Sequence, residues 1–163
     1  MDYEIRKEKE IVLAGVSRMI STVDGQNYRE IPKFWDEVNE QRPLGKLFAD
    51  YGKSGLLQGA MVGAILEYDQ ANERLLYLIG LEPSGTSDLE GMTVKTIPAQ
   101  TWAVFRDKGP MPASIQETWK RIYGEWFPAS QYEHSGGPEL EVYPEEDQPG
   151  EMPYEIWIPV KRK

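Results

Sequence analysis

The feature that most constrains the fold of this chain is a repeated order of elements: two strands, a helix and two strands occur twice. Alternating and β-branched residues predict strands over 3–7, 11–22, 60–68 and 74–81 in the first half. A helix is predicted over 31–41, where Phe34, Trp35 and Val38 form one apolar stripe. The pattern therefore predicts a β-β-α-β-β unit in this half.

The second half repeats that order. Strands are predicted over 92–97 and 100–106, and a closing hairpin over 138–160. A helix is predicted over 113–126, with Ile115, Trp119, Ile122 and Trp126 as its apolar stripe and capping-box spacing at Ser114 and Glu117. We expect one α+β domain over 1–163, with pseudo-repeats at about 1–83 and 91–163. Two such units packed side by side leave a concave seam between them.

Composition narrows the functional classes. Apolar residues make up 40% of the chain and charged residues 28%, which is typical of a globular protein. The net charge of −9 argues against direct nucleic-acid binding, which needs a basic face. The absence of cysteine and the single His134 predict no disulfide, no metal site and no catalytic triad, and we expect no cofactor. No apolar run suits a signal peptide or membrane span, so a cytoplasmic protein is expected.

The closing hairpin combines two kinds of strand face around a turn rich in acids and proline. Apolar faces are predicted for Leu140, Val142, Ile156, Ile158 and Val160. Alternation predicts a second face that carries Glu139, Glu141, Tyr143, Glu155 and Trp157. Carboxylates mixed with large aromatics favour a pocket for a flat, cationic or polar-aromatic small molecule.

Four segments of the second half resemble one known family in order and spacing. They are IPAQTWAVFRDKGP from residue 97, WKRIYGEWFP from residue 119, LEVY from residue 140 and EIWIPV from residue 155. This set resembles the GyrI-like small-molecule-binding domains, which include the effector-binding domains of AraC-type and MerR-type regulators such as BmrR, and stand-alone gyrase inhibitory proteins. The resemblance implies a duplicated, SHS2-like β-β-α-β-β fold with a ligand cleft between the halves.

The resemblance also implies site residues. The carboxylate that meets aromatic cations in ligand-sensing members falls on Glu141, and the partner aromatic of the last strand falls on Trp157. Other lining aromatics are placed at Tyr143, Trp102, Trp126, Tyr68 and Tyr77. Trp119 is predicted to lie in the core, because a helical apolar stripe ordinarily faces its own sheet.

Two functions from different classes follow. The first is a stand-alone protein that binds a small aromatic or cationic ligand, for sequestration or for sensing through a partner regulator, since no helix-turn-helix segment is recognised. The alternative is a hydrolase of strained, cyclopropanoid-type rings, with Glu141 as general base and Tyr143 or another tyrosine as proton donor. A third reading, a gyrase-inhibitor-like interaction module, is supported only by the acidic charge and that resemblance.

Overall fold

The computed structural model describes residues 1–41, 55–85, 88–144 and 152–163. Most of the ambiguous segment 44–57 and the acidic turn at 145–147 lie outside these ranges. The strands are β1 Tyr3–Glu8, β2 Ile11–Ser21, β3 Met61–Asp69, β4 Arg74–Leu81, β5 Thr93–Ile97, β6 Gln100–Gly109, β7 Tyr132–His134, β8 Glu139–Tyr143 and β9 Met152–Arg162. The predicted strands are all present, and the short β7 was missed.

The strand order confirms the duplicated β-β-α-β-β architecture and shows how the two units are joined. The sheet runs β1-β6-β9-β8-β3-β4-β2-β5, with β7 beside β9. The strands correspond in pairs between the two halves: β1 with β5, β2 with β6, β3 with β8 and β4 with β9. If each strand is replaced by its counterpart, the same order is read from the opposite end of the sheet. The first strand of each half pairs with the other half, β1 with β6 and β5 with β2, so the two units share one antiparallel sheet.

Two short links force this sheet to curve. Only Lys9 and Glu10 connect β1 to β2, only Pro98 and Ala99 connect β5 to β6, and such a link reaches about 11 Å. In a flat sheet these strands would lie about 29 Å apart, because six strand spacings separate them in the order. The sheet therefore curves round a buried cluster to which strands near both its ends contribute, including Ile97 of β5 and Trp102 of β6.

Both helices lie on the other face of the sheet. Helix α1, Asn27–Gln41, packs over β2 and β4, and helix α2, Ala113–Arg121, packs over β6. Helix α2 continues through a π turn at Ile122–Trp126 and a last turn at Phe127–Ala129. The capping-box prediction is wrong, because the helix begins at Ala113 and Ser114 contacts the Tyr154 hydroxyl at 2.8 Å instead.

The structure also corrects the faces predicted for the closing hairpin. Leu140 pairs with Trp157 and Glu141 pairs with Ile156, so Trp157 lies on the face of Leu140, opposite Glu141. Alternation fixes the two faces within each strand, but the relative phase of two strands depends on the turn that joins them. No helix in the described residues is long and apolar enough to cross a bilayer.

Candidate functional site

A large cleft lies over the middle of the sheet, between the two helices. The helices cover the outer strands and leave β3 and β8, the central pair, uncovered. The cleft has a volume of about 1700 Å³. Helix α1 contributes Ile31 and Trp35 to its walls, α2 contributes Ile115 and Trp119, and Met61 and Glu141 lie on its floor. Both halves of the chain therefore build the site.

Glu141 is the buried acid of this cleft. Its exposed fraction is 7%, although it is a charged residue type. It accepts a hydrogen bond from the Tyr77 hydroxyl, and the indole Nε1 of Trp119 donates to its Oε2 at 3.0 Å. The Tyr77 hydroxyl in turn accepts from Nε1 of Trp35 at 2.9 Å. Side chains from α1, β4 and α2 thus fix the orientation of one carboxylate.

The electrostatic surroundings of Glu141 shift the pKa of its carboxyl group upward. Burial raises the pKa of its carboxyl group, the hydrogen bonds from Tyr77 and Trp119 lower it, and the negative charge of Glu139 raises it again. Burial and the neighbouring Glu141 carboxylate likewise raise the pKa of the Tyr77 phenol. In the part of the chain that the structure describes, no lysine or arginine forms an ion pair with Glu141. Its charge is therefore left without a basic partner.

The position of Tyr77 depends on a glycine in the neighbouring strand. Gly63 pairs with Ile79 on one side and with Glu141 on the other. A Cβ atom at residue 63 would lie 2.0 Å from the Tyr77 hydroxyl oxygen. The missing side chain therefore provides the space in which this hydroxyl reaches Glu141.

A second acid lies at the rim, two residues before Glu141 on β8. Glu139 accepts a hydrogen bond from the Tyr123 hydroxyl, and its Oε2 lies 3.6 Å from Nε2 of His134. Burial and the charge of Glu139 raise the pKa of Tyr123. The rings of Trp119 and Tyr123 stack, with centroids 6.2 Å apart. The α2 wall therefore continues from the buried acid to the rim.

The two walls are joined at one end of the cleft. Pro32 lies inside α1 and has no N–H, so the Tyr28 carbonyl four residues earlier lacks its helical donor. Nε2 of Gln116 on α2 donates to that carbonyl at 3.0 Å. This bond compensates for the proline and ties α1 to α2. Helix α1 begins four residues before the predicted residue 31.

The structure brings some of the predicted site residues together and separates others. Glu141, Tyr143 and Tyr68 line the cleft. Tyr77 does not line it, but its hydroxyl donates a hydrogen bond to Glu141. Trp102 and Trp157 do not line it: they lie in the cluster on the opposite face, with ring centroids 5.7 Å apart. Trp126 packs against Phe105, outside the cleft lining.

Four aromatic side chains that line the cleft were missed by sequence reasoning: Tyr28, Trp35, Trp119 and Tyr123. The two tryptophans are the most informative of them. Both belong to helical apolar stripes, and both are only partly buried because they face the gap between the helices. Their positions in equivalent helices of the two repeats were the signal that could have paired them. Among the described residues no group of three or more metal-ligating side chains is present.

The sequence matches one protein family over residues 4–160, the integron-associated effector-binding proteins called Cass2. The chain belongs to this family. The effector-binding assignment agrees with the GyrI-like resemblance and makes the chain a small-molecule-binding domain. No curated protein sequence matches the chain.

Solved structures show the same fold at low identity. SAV2435 bound to tetraphenylphosphonium has a TM-score of 0.80 at 19% identity, covering 99% of this chain and 94% of that one. An integron cassette protein of Vibrio cholerae has a TM-score of 0.66 at 14% identity, covering 98% and 95%. The C-terminal domain of EcmrR has a TM-score of 0.60 at 16% identity, covering 99% and 98%. These likenesses establish the GyrI-like, effector-binding fold.

Proposed function

We propose that this protein binds aromatic cations in the cleft, with Glu141 as the charge partner. The observation that carries the proposal is a buried carboxylate that accepts hydrogen bonds from two aromatic side chains, Tyr77 and Trp119, and has no basic partner in the described residues. An ionised carboxylate in such a place is costly unless a positive charge joins it. A cationic ligand supplies that charge.

The aromatic walls suit the same ligand class. Trp35 and Tyr143 meet edge to face, with centroids 5.1 Å apart, and Trp119 and Tyr123 stack on the opposite wall. A cation near such rings gains about 0.5–2 kcal/mol for each well-placed ring. The SAV2435 structure, which shares this fold, holds tetraphenylphosphonium, a bulky aromatic cation. It supports the choice of that compound as a probe.

The size of the cleft favours bulky ligands over small ones. Its volume of about 1700 Å³ exceeds the range of about 300–1,000 Å³ that is usual for small-molecule pockets. Such a site selects by charge and aromatic contact more than by close shape. This breadth suits sequestration of varied toxic cations, and it equally suits a sensor whose ligand-bound form a partner regulator recognises.

The first prediction concerns Glu141→Gln, which removes the charge and keeps the shape. Wild-type protein should bind tetraphenylphosphonium in isothermal titration and gain thermal stability from it. The substitution should weaken binding by about tenfold, because the charge pair is lost while aromatic contacts remain.

Glu125→Gln is the matched control. Glu125 lies in the π turn that continues α2, where it pairs with the exposed Arg121, and it does not line the cleft. Its affinity for tetraphenylphosphonium should equal that of wild type. Equal weakening by both substitutions, or unchanged binding by Glu141→Gln, would contradict the carboxylate–cation model.

A second candidate function is hydrolysis of a strained electrophilic ring, and the contact between Tyr77 and Glu141 favours it. Glu141 would take a proton from water, the water oxygen would bond to a ring carbon, and one ring bond would break. The electron pair of that bond would take a proton from Tyr143, which lines the cleft, and the proton held by Glu141 would then return to the tyrosine. The raised pKa of Glu141 suits a group that takes up a proton during a reaction.

This reaction has a direct test. Purified protein is incubated with an activated, acceptor-substituted cyclopropane, and the ring-opened product is measured by mass spectrometry. The hydrolase reading expects turnover by wild type, loss of at least about a hundredfold in Glu141→Gln, and no loss in Glu125→Gln. No turnover by wild type would exclude this substrate class and leave binding as the function.

A further inference from the structure

Glu139 is a second carboxylate in the same cleft, at a fixed spacing from Glu141. Both side chains lie on the cleft face of β8 and line the cavity. Two residues along a strand span about 6.6 Å, so the two acids form a row along the floor. Glu141 marks the buried end of this row and Glu139, whose side chain is 15% exposed, marks the rim.

Helix α2 and its π turn supply one aromatic donor to each acid. Trp119 donates to Glu141, and Tyr123, four residues later, donates to Glu139. Four residues of helix advance about 6 Å, which matches the advance of two residues along the strand. Tyr123 belongs to the π turn, and π turns are frequent at functional sites. The same ring-and-acid arrangement therefore occurs twice, side by side.

The two acids act on the same region of the cleft. The charge of Glu139 is among the causes that raise the pKa of Glu141, so each carboxylate lies within the field of the other. Within the described ranges the one basic group paired with Glu139 is His134. A ligand with a single positive centre at Glu141 would add no positive charge beside Glu139.

We propose that the cleft prefers elongated aromatic dications, with one positive centre at Glu141 and the other at Glu139, between the stacked wall and β8. Glu139 is thus a specificity-determining residue for the number of charges on the ligand. This inference rests on the proposed function, because it assumes that Glu141 holds the first cationic centre. The competing explanation is that Glu139 only orients Tyr123 and His134.

A matched pair of ligands separates these explanations. Methyl viologen carries a positive nitrogen at each end of a flat biaryl, and N-methyl-4-phenylpyridinium has nearly the same shape with one positive nitrogen. Affinities of both are measured by isothermal titration at about pH 8, where imidazole is ordinarily uncharged. Wild type should bind the dication about tenfold more tightly than the monocation.

The variants assign the preference to residues. Glu139→Gln should remove most of the tenfold preference by weakening the dication alone, and Glu141→Gln should weaken both ligands. Tyr123→Phe removes the donor and keeps the acid, so it should retain the preference. Glu125→Gln should match wild type for both ligands.

Each other outcome points to a specific failure. If both ligands bind but wild type shows no preference, or Glu139→Gln weakens both equally, the second cationic position is overturned and the proposed function stands. Loss of the preference in Tyr123→Phe as large as in Glu139→Gln would assign the effect to ring orientation and overturn the inference. If neither compound binds, or both bind equally well to Glu141→Gln, the proposed function fails and this inference fails with it.

Discussion

Replacing Gly63 with alanine should destabilise the fold by about 3 kcal/mol and weaken ligand binding at the same time. The added Cβ would lie 2.0 Å from the Tyr77 hydroxyl oxygen and 3.0 Å from Cζ2 of Trp35. Tyr77 is fully buried and its ring packs at 6.3 Å from that of Phe34, so it has little room to retreat. Any retreat breaks the hydrogen bond that holds Glu141.

Urea unfolding measures the change in the free energy of unfolding, and titration with tetraphenylphosphonium measures the change in ligand affinity. Gly124→Ala is the matched control, because a Cβ there meets nothing within 4 Å. Alanine in that helical turn should leave stability unchanged or raise it by about 0.5–1 kcal/mol. Equal stability of the Gly63 and Gly124 variants would show that the Tyr77 contact does not restrict residue 63.

A double-mutant cycle isolates the cause. Tyr77→Phe removes the hydroxyl that the new methyl group would strike first, although the ring carbon Cζ behind it stays at 2.8 Å. Gly63→Ala should therefore cost less in the Tyr77→Phe background than in wild type. Additive effects of the two substitutions would mean that the strain lies elsewhere.

The order of elements was predictable because it depends on local periodicity. Alternation located the strands, and the stripes containing Phe34 and Ile115 located the helices. The pairing of β1 with β6 was not predictable from pattern, because an apolar face does not specify which strand edge it meets. The domain limits and pseudo-repeat boundaries given by the sequence remain predictions.

The site was partly predictable for the same reason. Glu141 stood out because alternation opposed it to Leu140 and Val142 and because the family resemblance pointed to it. Trp119 was read as core, since a helical stripe shows which side of a helix is apolar and not whether that side meets a sheet or a groove. Trp157 was assigned to the wrong face because the phase between β8 and β9 depends on their turn.

The affinity for a cation should rise with pH and then level off. The ligand pairs with the ionised form of Glu141, whose pKa burial raises above its usual 4.5. Below that raised pKa, affinity should fall by about tenfold for each pH unit, and binding should release a proton. Titrations between about pH 5 and pH 8, in two buffers of different ionisation enthalpy, measure both effects. Glu141→Gln should flatten this part of the profile, and a wild-type affinity that is constant over the range would contradict the assignment.

The stability of the unliganded protein should change in the opposite direction. Between the unfolded pKa near 4.5 and the higher folded pKa, the folded chain binds more protons than the unfolded chain. The contribution of Glu141 to the free energy of unfolding must therefore decrease as pH rises through this window, and it is constant above the window. Glu141→Gln lacks this loss, so the difference in free energy of unfolding between the two proteins should move in favour of the variant as pH rises, while the variant binds cations less well. Urea unfolding of both proteins across the window tests this, and a wild-type free energy that rises relative to the variant would refute it. The burial that makes Glu141 costly in the empty cleft is also what makes an arriving cation favourable, so a more stable protein here should be a weaker receptor.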